Sequence, residues 1–405
     1  MPNKFHSLLA STTHESLLAN LDLSKRDEEA LVDAAKEIRS AIIAGFVELR
    51  EKLQRQHLDY EVPKPKFAIQ GSYIYGTLNS PANPPKQQVD IDLGMYLPFS
   101  ALGDGQRPKT ATQFYFSAVT EILEKYIQNK RKHWVLPPAS QQKDTCIRVL
   151  INEKTHIDIP LYAVPEGELN RVTEANLAAY DQDSYMPEMM RGNELSLEYF
   201  ALEAITPDVI HMAHRKDGWQ PSDALVIRDW VKSQFRKMGS MIRPVNRFLK
   251  AWRDHAWPDG GGPSSIFLLA HSLHSFPSDT NGLSHCEALE AVINELPSVF
   301  NRPLLVPRPT STDKFAKEDL CERISDEEKK EFYTYFESLR QQYALAKRTD
   351  PRAANSILIS IFGRRMPNDP SRIVVTNTTT SRVEEIRGSK PDIRPLYTTD
   401  RSNSG

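Results

Sequence analysis

Gln70-Gly71-Ser72-Tyr73-Ile74-Tyr75-Gly76-Thr77, followed after a polar insertion by Val89-Asp90-Ile91-Asp92-Leu93, is the stretch that decides the fold. From Val89 to Phe99 the apolar residues Val89, Ile91, Leu93, Met95, Leu97 and Phe99 alternate with Asp90, Asp92, Gly94 and Tyr96. That period of two predicts a strand, and the two aspartates share the face opposite to its apolar side. Phe67-Ala68-Ile69-Gln70 reads as a shorter strand that runs into the glycine turn. Glycine lets backbone approach a ligand closely, and successive N–H groups in such a turn form an anion nest. The Ser72 hydroxyl adds one more donor.

Working outward, residues 145–151 and 154–164 read as a hairpin. On its second arm Ile157, Ile159, Leu161 and Ala163 alternate with His156, Asp158 and Tyr162. Asp158 on a neighbouring strand completes a cluster of three carboxylates. Like charges gathered this way are costly unless a cation joins them, and Mg²⁺ held by carboxylates and substrate phosphates is the usual occupant. A phosphate nest beside a carboxylate triad implies metal-dependent nucleotidyl transfer. An Asp-x-Asp pair is also common on solvated strand faces, so the signal lies in the combination. The stretch 71–77 superficially matches a P-loop, but Thr77 stands where lysine is needed and a proline-rich loop follows instead of a helix. His156 reads as a solvated or supporting histidine rather than a metal ligand, and Cys146 as a core residue.

The 405 residues carry a net charge of −2, which argues against a chain built mainly to hold long nucleic acid. The three cysteines, Cys146, Cys286 and Cys321, are odd in number and far apart, so neither a disulfide framework nor a zinc ribbon is expected. The first residues contain no apolar core of signal-peptide length, and no run approaches the roughly 20 apolar residues of a membrane span. A cytoplasmic protein without membrane attachment is the expectation.

Residues 27–55 carry Leu31, Ala35, Ile38, Ile42, Phe46, Leu49 and Leu53 on one helical face, with Ser24 and Asp27 as the capping start. After the proline-rich excursion from Asn79 to Gln88 and the strands, the pattern turns helical from about Ser222. Ala224 to Phe235, Ile242 to Trp252, Ser264 to His274 and Glu327 to Lys347 are the candidate helices, interrupted at Gly260-Gly261-Gly262-Pro263. The expected division is a helical spine over 1–60, a catalytic core over 61–215, a helical lobe over 216–365 and a flexible, Thr- and Ser-rich tail over 366–405.

Gln70 to Thr77, Asp90-Ile91-Asp92 and His156-Ile157-Asp158 together resemble the active site of polymerase-β-type nucleotidyltransferases. The closer resemblance is to the bacterial cGAS/DncV-like nucleotidyltransferases (CD-NTases), which make cyclic di- or trinucleotides in anti-phage defence. Leu249-Lys250-Ala251-Trp252-Arg253-Asp254, Gly262-Pro263-Ser264-Ser265-Ile266 and Pro221-Ser222-Asp223 resemble the nucleotide-contacting helical lobe of the DncV-type branch. The likeness runs over roughly residues 60 to 315. Residues 73–89 are a longer spacer than the broad superfamily pattern has, and the DncV-type branch tolerates it. His285-Cys286 has no companion cysteine pair, so a zinc thumb and activation by double-stranded DNA are not expected.

The resemblance implies an α/β fold: a polymerase-β-type core, a long spine helix and a helical C-terminal lobe around a central cleft. It implies that Gln70, Gly71, Ser72, Tyr73, Ile74 and Tyr75 hold the donor triphosphate. Asp90, Asp92 and Asp158 would bind two Mg²⁺ ions, with Mn²⁺ able to substitute. Ser222, Lys250 and Ser264 would contact donor phosphates or base, and Arg148 and Asp313 the acceptor nucleotide. For Lys250 a snorkelling helix lysine, and for Ser264 a plain helix cap, are the competing readings. ATP and GTP, or other NTPs, would be joined into a cyclic dinucleotide such as cyclic GMP-AMP, which acts on a downstream effector. In this branch a ubiquitin-transfer-like enzyme joins the C-terminal glycine to targets, which points to Gly405. Two rivals stay open: a template-independent RNA or tRNA nucleotidyltransferase, and a non-catalytic nucleotide-binding scaffold of the same fold.

Overall fold

The computed structural model describes residues 2–57, 62–99, 108–165, 210–222, 224–279, 282–309, 313 and 315–375. The expectations for Asp223, for residues 376 onward and hence for Gly405 lie outside these.

A central sheet carries the strands that the alternation predicts. Its order is β2 (Lys66–Gln70), β3 (Val89–Pro98), β5 (Thr155–Val164), β6 (His211–His214) and β7 (Gly218–Pro221), with β4 (Cys146–Asn152) paired to β5 off that path. β2 runs antiparallel to β3, and β4 antiparallel to β5. β3 and β5 are parallel, with Asp90 opposite His156 and Asp92 opposite Asp158. Ile91, Leu93, Ile157 and Ile159 are fully buried on the other face.

Behind the sheet lies α3 (Lys25–Arg55). The Ser24 hydroxyl accepts the Asp27 amide at 3.1 Å, and Leu31, Ala35, Ile38, Ile42 and Phe46 make the buried stripe. Each such large aliphatic or aromatic side chain contributes about 1.5–3 kcal/mol on burial. A helix absent from the sequence reading, α4 (Pro108–Lys130), packs beside α3. Gly45 permits that contact, because a Cβ there would meet Ile122 at 2.5 Å.

The second core is helical: α1 (His6–Leu9), α2 (Leu17–Asn20), α5 (Ala224–Met238), α6 (Ile242–Ala256), α7 (Ser265–Ser275), α8 (His285–Glu295), α9 (Asp326–Ala346) and α10 (Pro351–Phe362), with a ribbon of β8 (Leu305–Pro307) and β9 (Lys317–Asp319) beside them. Phe248, Leu249, Trp252, Phe267, Phe336 and Tyr343 sit at its centre. Two expectations change here. Phe5, Leu8, Leu9, Leu17 and Leu21 are buried in this core, so the first twenty or so residues pack with the helical lobe and only α3 forms the spine. Residues 366–375 also belong to the folded body. Met366 and Ile373 are buried, and β10 (Val374–Val375) pairs with β1 (Asn3–Lys4). The Arg372 guanidinium donates to the Ser7 hydroxyl at 3.0 Å and the Glu15 carbonyl at 2.6 Å. Polar composition concealed this, because backbone pairing and one arginine hold a segment that buries little apolar surface. Among the described residues, no helix is long and apolar enough to cross a membrane.

Candidate active site

The cleft between the sheet and the helical lobe has a volume of about 760 Å³, in the range of about 300–1,000 Å³ usual for ligand pockets. The turn after β2 forms one wall. Gly71 has φ +73°, a conformation that favours glycine, and a Cβ there would come within 2.5 Å of an Asp92 carboxylate oxygen. The carbonyls of Gly71, Ser72 and Tyr73 accept the amides of Tyr75, Thr77 and Gly76 within the turn. These bonds consume the amides of Tyr75, Gly76 and Thr77 as well, and Ser72, which carries a hydroxyl donor, lines the cleft.

The helical lobe braces this turn. The Arg243 guanidinium donates to the Tyr75 carbonyl at 3.0 Å, and Lys250 Nζ to the Thr77 carbonyl at 2.7 Å. Asn79 donates its amide to the Arg247 carbonyl at 2.9 Å. All three partners lie on α6, so one helix sets the height of the glycine turn.

Asp90, Asp92 and Asp158 all line the cleft, but their surroundings differ. Asp92 is pushed up to about 7, chiefly by burial and then by the Asp90 and Asp158 charges. Burial acts on Asp158 in the same direction, but hydrogen bonds from Arg148 and Lys143 outweigh it and hold this carboxyl down at about 2. The Arg148 guanidinium binds Asp158 through two nitrogens at 2.7 Å each, and Lys143 Nζ adds a third bond at 2.8 Å. The three charges expected to lack structural partners therefore include one that is already neutralised.

Among the described residues, Asp90, His156 and Asp158 bring ligating atoms within 4.8 Å of one another. His156 Nε2 lies 3.2 Å from Asp90 Oδ1 and 4.0 Å from Asp158 Oδ1. Asp90 Oδ1 and His156 Nε2 are both buried atoms without a hydrogen-bond partner. Orphaned acceptors facing one another among carboxylates are a donor set that fits a divalent cation.

The other expected residues divide. Gly71, Ser72, Ile74, Tyr75, Ser222 and Lys250 line the cleft. Burial pushes the Lys250 ammonium down to about 7, aided by the Arg253 and Arg247 charges. Gln70 also lines it, but its amide is engaged with the Tyr96 and Tyr162 hydroxyls, whose rings stack 4.9 Å apart. Tyr73 turns away: its hydroxyl donates to Glu28 on the spine helix at 2.9 Å. Ser264 caps α7 by accepting the Phe267 amide at 3.3 Å, and Ser265 is the serine that lines the cleft. Arg148 is spent on Asp158. Asp313 is exposed and accepts the Phe315 amide within its own turn, apart from the cleft lining.

Sequence reading missed Lys143, Arg228 and Asn246, and quoted Arg253 only as part of the Leu249–Asp254 stretch; all four line the cleft. Lys143 lies in an irregular stretch before β4, with no periodicity to mark it. Asn246 and Arg253 sit on α6, seven residues apart, a spacing that two helical turns bring to one face.

Comparison with known proteins adds to this geometry. A family model described as cyclic GMP-AMP synthase DncV-like, nucleotidyltransferase domain, matches residues 65–162. A second, for the cyclic GMP-AMP synthase C-terminal domain, matches residues 239–376. Together they cover more than half of the 405 residues. A cyclic GMP-AMP synthase of Escherichia coli (strain TW11681) is 33% identical over 254 residues, 62% of this chain and 56% of that protein. One from Vibrio cholerae serotype O1 is 33% identical over 260 residues, with the same coverage. The chain thus spans little more than half the length of the curated relatives it matches. A structure of a mutant Vibrio cholerae di-nucleotide cyclase (DncV) superposes with a TM-score of 0.75. A Vibrio cholerae DncV cyclic AMP-GMP synthase in complex with the linear intermediate 5′ pppA(3′,5′)pG does so with 0.73. Both are 24% identical and cover 93% of this chain and 100% of the other, a likeness of fold.

Proposed function

The chain belongs to the cGAS/DncV-like nucleotidyltransferase family, and from that premise we propose that it joins two nucleoside triphosphates in sequence and closes them into a cyclic dinucleotide such as cyclic GMP-AMP. The observation that carries this reading is the parallel register of β3 and β5. With Asp92 opposite Asp158 and Asp90 two residues away on β3, the three carboxylates share a sheet face beside the glycine turn that carries Ser72, which supports the reading.

In each step an acceptor hydroxyl oxygen bonds to the α-phosphorus of the donor. The bond to the β-phosphate breaks, pyrophosphate leaves, and the hydroxyl proton is released. Asp90, Asp92 and Asp158 would hold Mg²⁺, as two ions. When bound, the metal lowers the pKa of the acceptor hydroxyl and neutralises the leaving pyrophosphate. The turn from Gly71 to Tyr75 orients the triphosphate by donors, and α6 keeps that turn at a constant height. Asp158, held near 2 by its two cations, is a poor proton acceptor. It serves by charge and position. Lys143, which donates to Asp158 on the rim of the cleft, would pair with a substrate phosphate if a bound metal took its place on that carboxylate.

Anti-phage signalling through an effector, conjugation at Gly405 and a cytoplasmic location form part of the same proposal, carried by the family alone. The test is incubation of the purified protein with radiolabelled ATP, GTP, CTP and UTP and Mg²⁺, followed by nuclease and phosphatase digestion. A phosphatase-resistant cyclic product is expected. No pyrophosphate release from any NTP pair would favour a scaffold, and extension of added RNA would favour an RNA nucleotidyltransferase.

A further inference from the structure

We propose that His156 is a nitrogen ligand of the metal centre, and that it biases one metal position toward a divalent transition ion such as Mn²⁺ over Mg²⁺. This rests on reading the carboxylate cluster as a metal centre and goes beyond a site made only of oxygen donors.

Gln88 sets the orientation of the His156 ring. Its amide nitrogen donates to the carbonyls of Asn152 at 3.4 Å and Glu153 at 3.2 Å. That orientation turns Gln88 Oε1 toward His156, where it lies 2.9 Å from Nδ1. Nδ1 therefore carries the proton, and in a neutral ring Nε2 is left with its lone pair exposed. That lone pair faces Asp90 Oδ1 at 3.2 Å, and neither atom has a hydrogen-bond partner. Two acceptors turned on one another in a buried place repel. The His156 side chain is only 9% exposed, whereas the Asp90 side chain, 42% exposed, opens to the cleft.

Two arrangements resolve it: a proton on Nε2, or a cation shared by Nε2 and the carboxylates. The placement favours the cation. Asp158 Oδ1, which also accepts from Arg148 Nε at 2.7 Å, stands 4.0 Å from the same nitrogen and keeps a second lone pair as a third ligand. Neighbouring ligands of a small octahedral cation with bonds of about 2.0–2.1 Å stand about 3 Å apart, close to the His156–Asp90 separation. The Gln88–His156 contact has the form of the outer hydrogen bond that fixes a ligating imidazole. Imidazole suits transition ions, whereas Mg²⁺ takes oxygen almost alone.

The experiment uses the full chain and Mn²⁺ alone, without nucleotide. Pulsed EPR of the Mn²⁺-loaded protein should show ¹⁴N modulation from an imidazole. The modulation should change to the ¹⁵N pattern when histidine is ¹⁵N-labelled, and vanish in His156→Gln. Titration calorimetry should find Mn²⁺ affinity reduced about tenfold or more in His156→Gln, with Mg²⁺ affinity changed less than about threefold. Absence of ¹⁴N modulation in the wild type, its persistence in His156→Gln, or equal loss of both affinities overturns the proposal. Should His156→Gln fail to fold, the isotope experiment decides alone, since among the described residues His156 is the histidine in the cluster. A protein that shows the modulation but makes no cyclic product refutes the proposed function and leaves this inference standing. One that makes product without the modulation does the reverse.

Discussion

Replacing Asp92 with asparagine should stabilise the metal-free protein at pH 8 and cease to do so near pH 4. The cause is the position of this carboxyl, pushed up to about 7 from its usual 3.8 by burial and by Asp90 and Asp158. The folded protein holds the Asp92 proton more tightly than the unfolded chain. The stability that this supplies is complete below about pH 4 and is lost as pH rises through 7. Above that range the fold carries an ionised, partly desolvated carboxylate. A difference of about three pK units, at 1.36 kcal/mol each, sets a ceiling of about 4 kcal/mol. Relaxation and water entry in an open cleft reduce this to about 1–2 kcal/mol. At about 2–4 °C per kcal/mol for domains of 150–250 residues, Asp92→Asn should melt several degrees higher at pH 8 in EDTA. The assay is a set of thermal melts of both proteins from pH 4 to 8.5, with and without Mg²⁺. Mg²⁺ should raise the wild-type midpoint and leave the variant nearly unmoved. A gain independent of pH, or a loss of stability at pH 8 in EDTA, would refute the reasoning.

Ser72→Ala should weaken donor binding about tenfold to a hundredfold in KM, from about 1.5–3 kcal/mol for a hydrogen bond to a charged phosphate, while Asp90→Ala abolishes product. Equal inactivity of two folded variants would reverse that ranking. Gly71→Ala should lower both Tm and activity, since it forces a side chain into φ +73° at about 1–2 kcal/mol and against Asp92; an unchanged Tm would show that the turn can shift. Arg148→Met should destabilise by less than the roughly 3–5 kcal/mol of a broken buried pair, because Lys143 remains on Asp158. The loss should fade as pH falls toward 2, where Asp158 protonates in the wild type, and denaturant melts from pH 2 to 7 would reveal its absence. Ending the chain after Val375 should leave Tm unchanged, whereas ending it after Arg365 should lower Tm by removing Met366, Arg372, Ile373 and the β1–β10 pairing. Equal melting of the two truncations would contradict the assignment of residues 366–375 to the folded body.

Local chemistry made much of this protein legible in its sequence. The period of two through Val89 to Phe99 put Asp90 and Asp92 on one face, since side-chain direction on a strand depends only on parity. The Ser24 cap, the buried stripe of α3 and the glycine turn followed in the same way, from neighbours within a few residues. What required the tertiary structure depends on contacts across long separations. The register of β3 against β5 sets Asp90 beside His156 and Asp92 beside Asp158. It turned a histidine read as a bystander into a member of the cluster with Asp90 and Asp158. Lys143 and Arg148 neutralise one aspartate and leave another pushed up to about 7, a division that three identical residue types cannot announce. Tyr73 was drawn from the glycine turn to Glu28, and Ser264 to its own helix end. A composition-based reading assigned residues 366–375 to a loose tail because it could not anticipate a strand partner at Asn3 and Lys4. Residue type and spacing determine which face a side chain takes, but its electrostatic state is decided by whatever the fold brings to within a few ångströms of it.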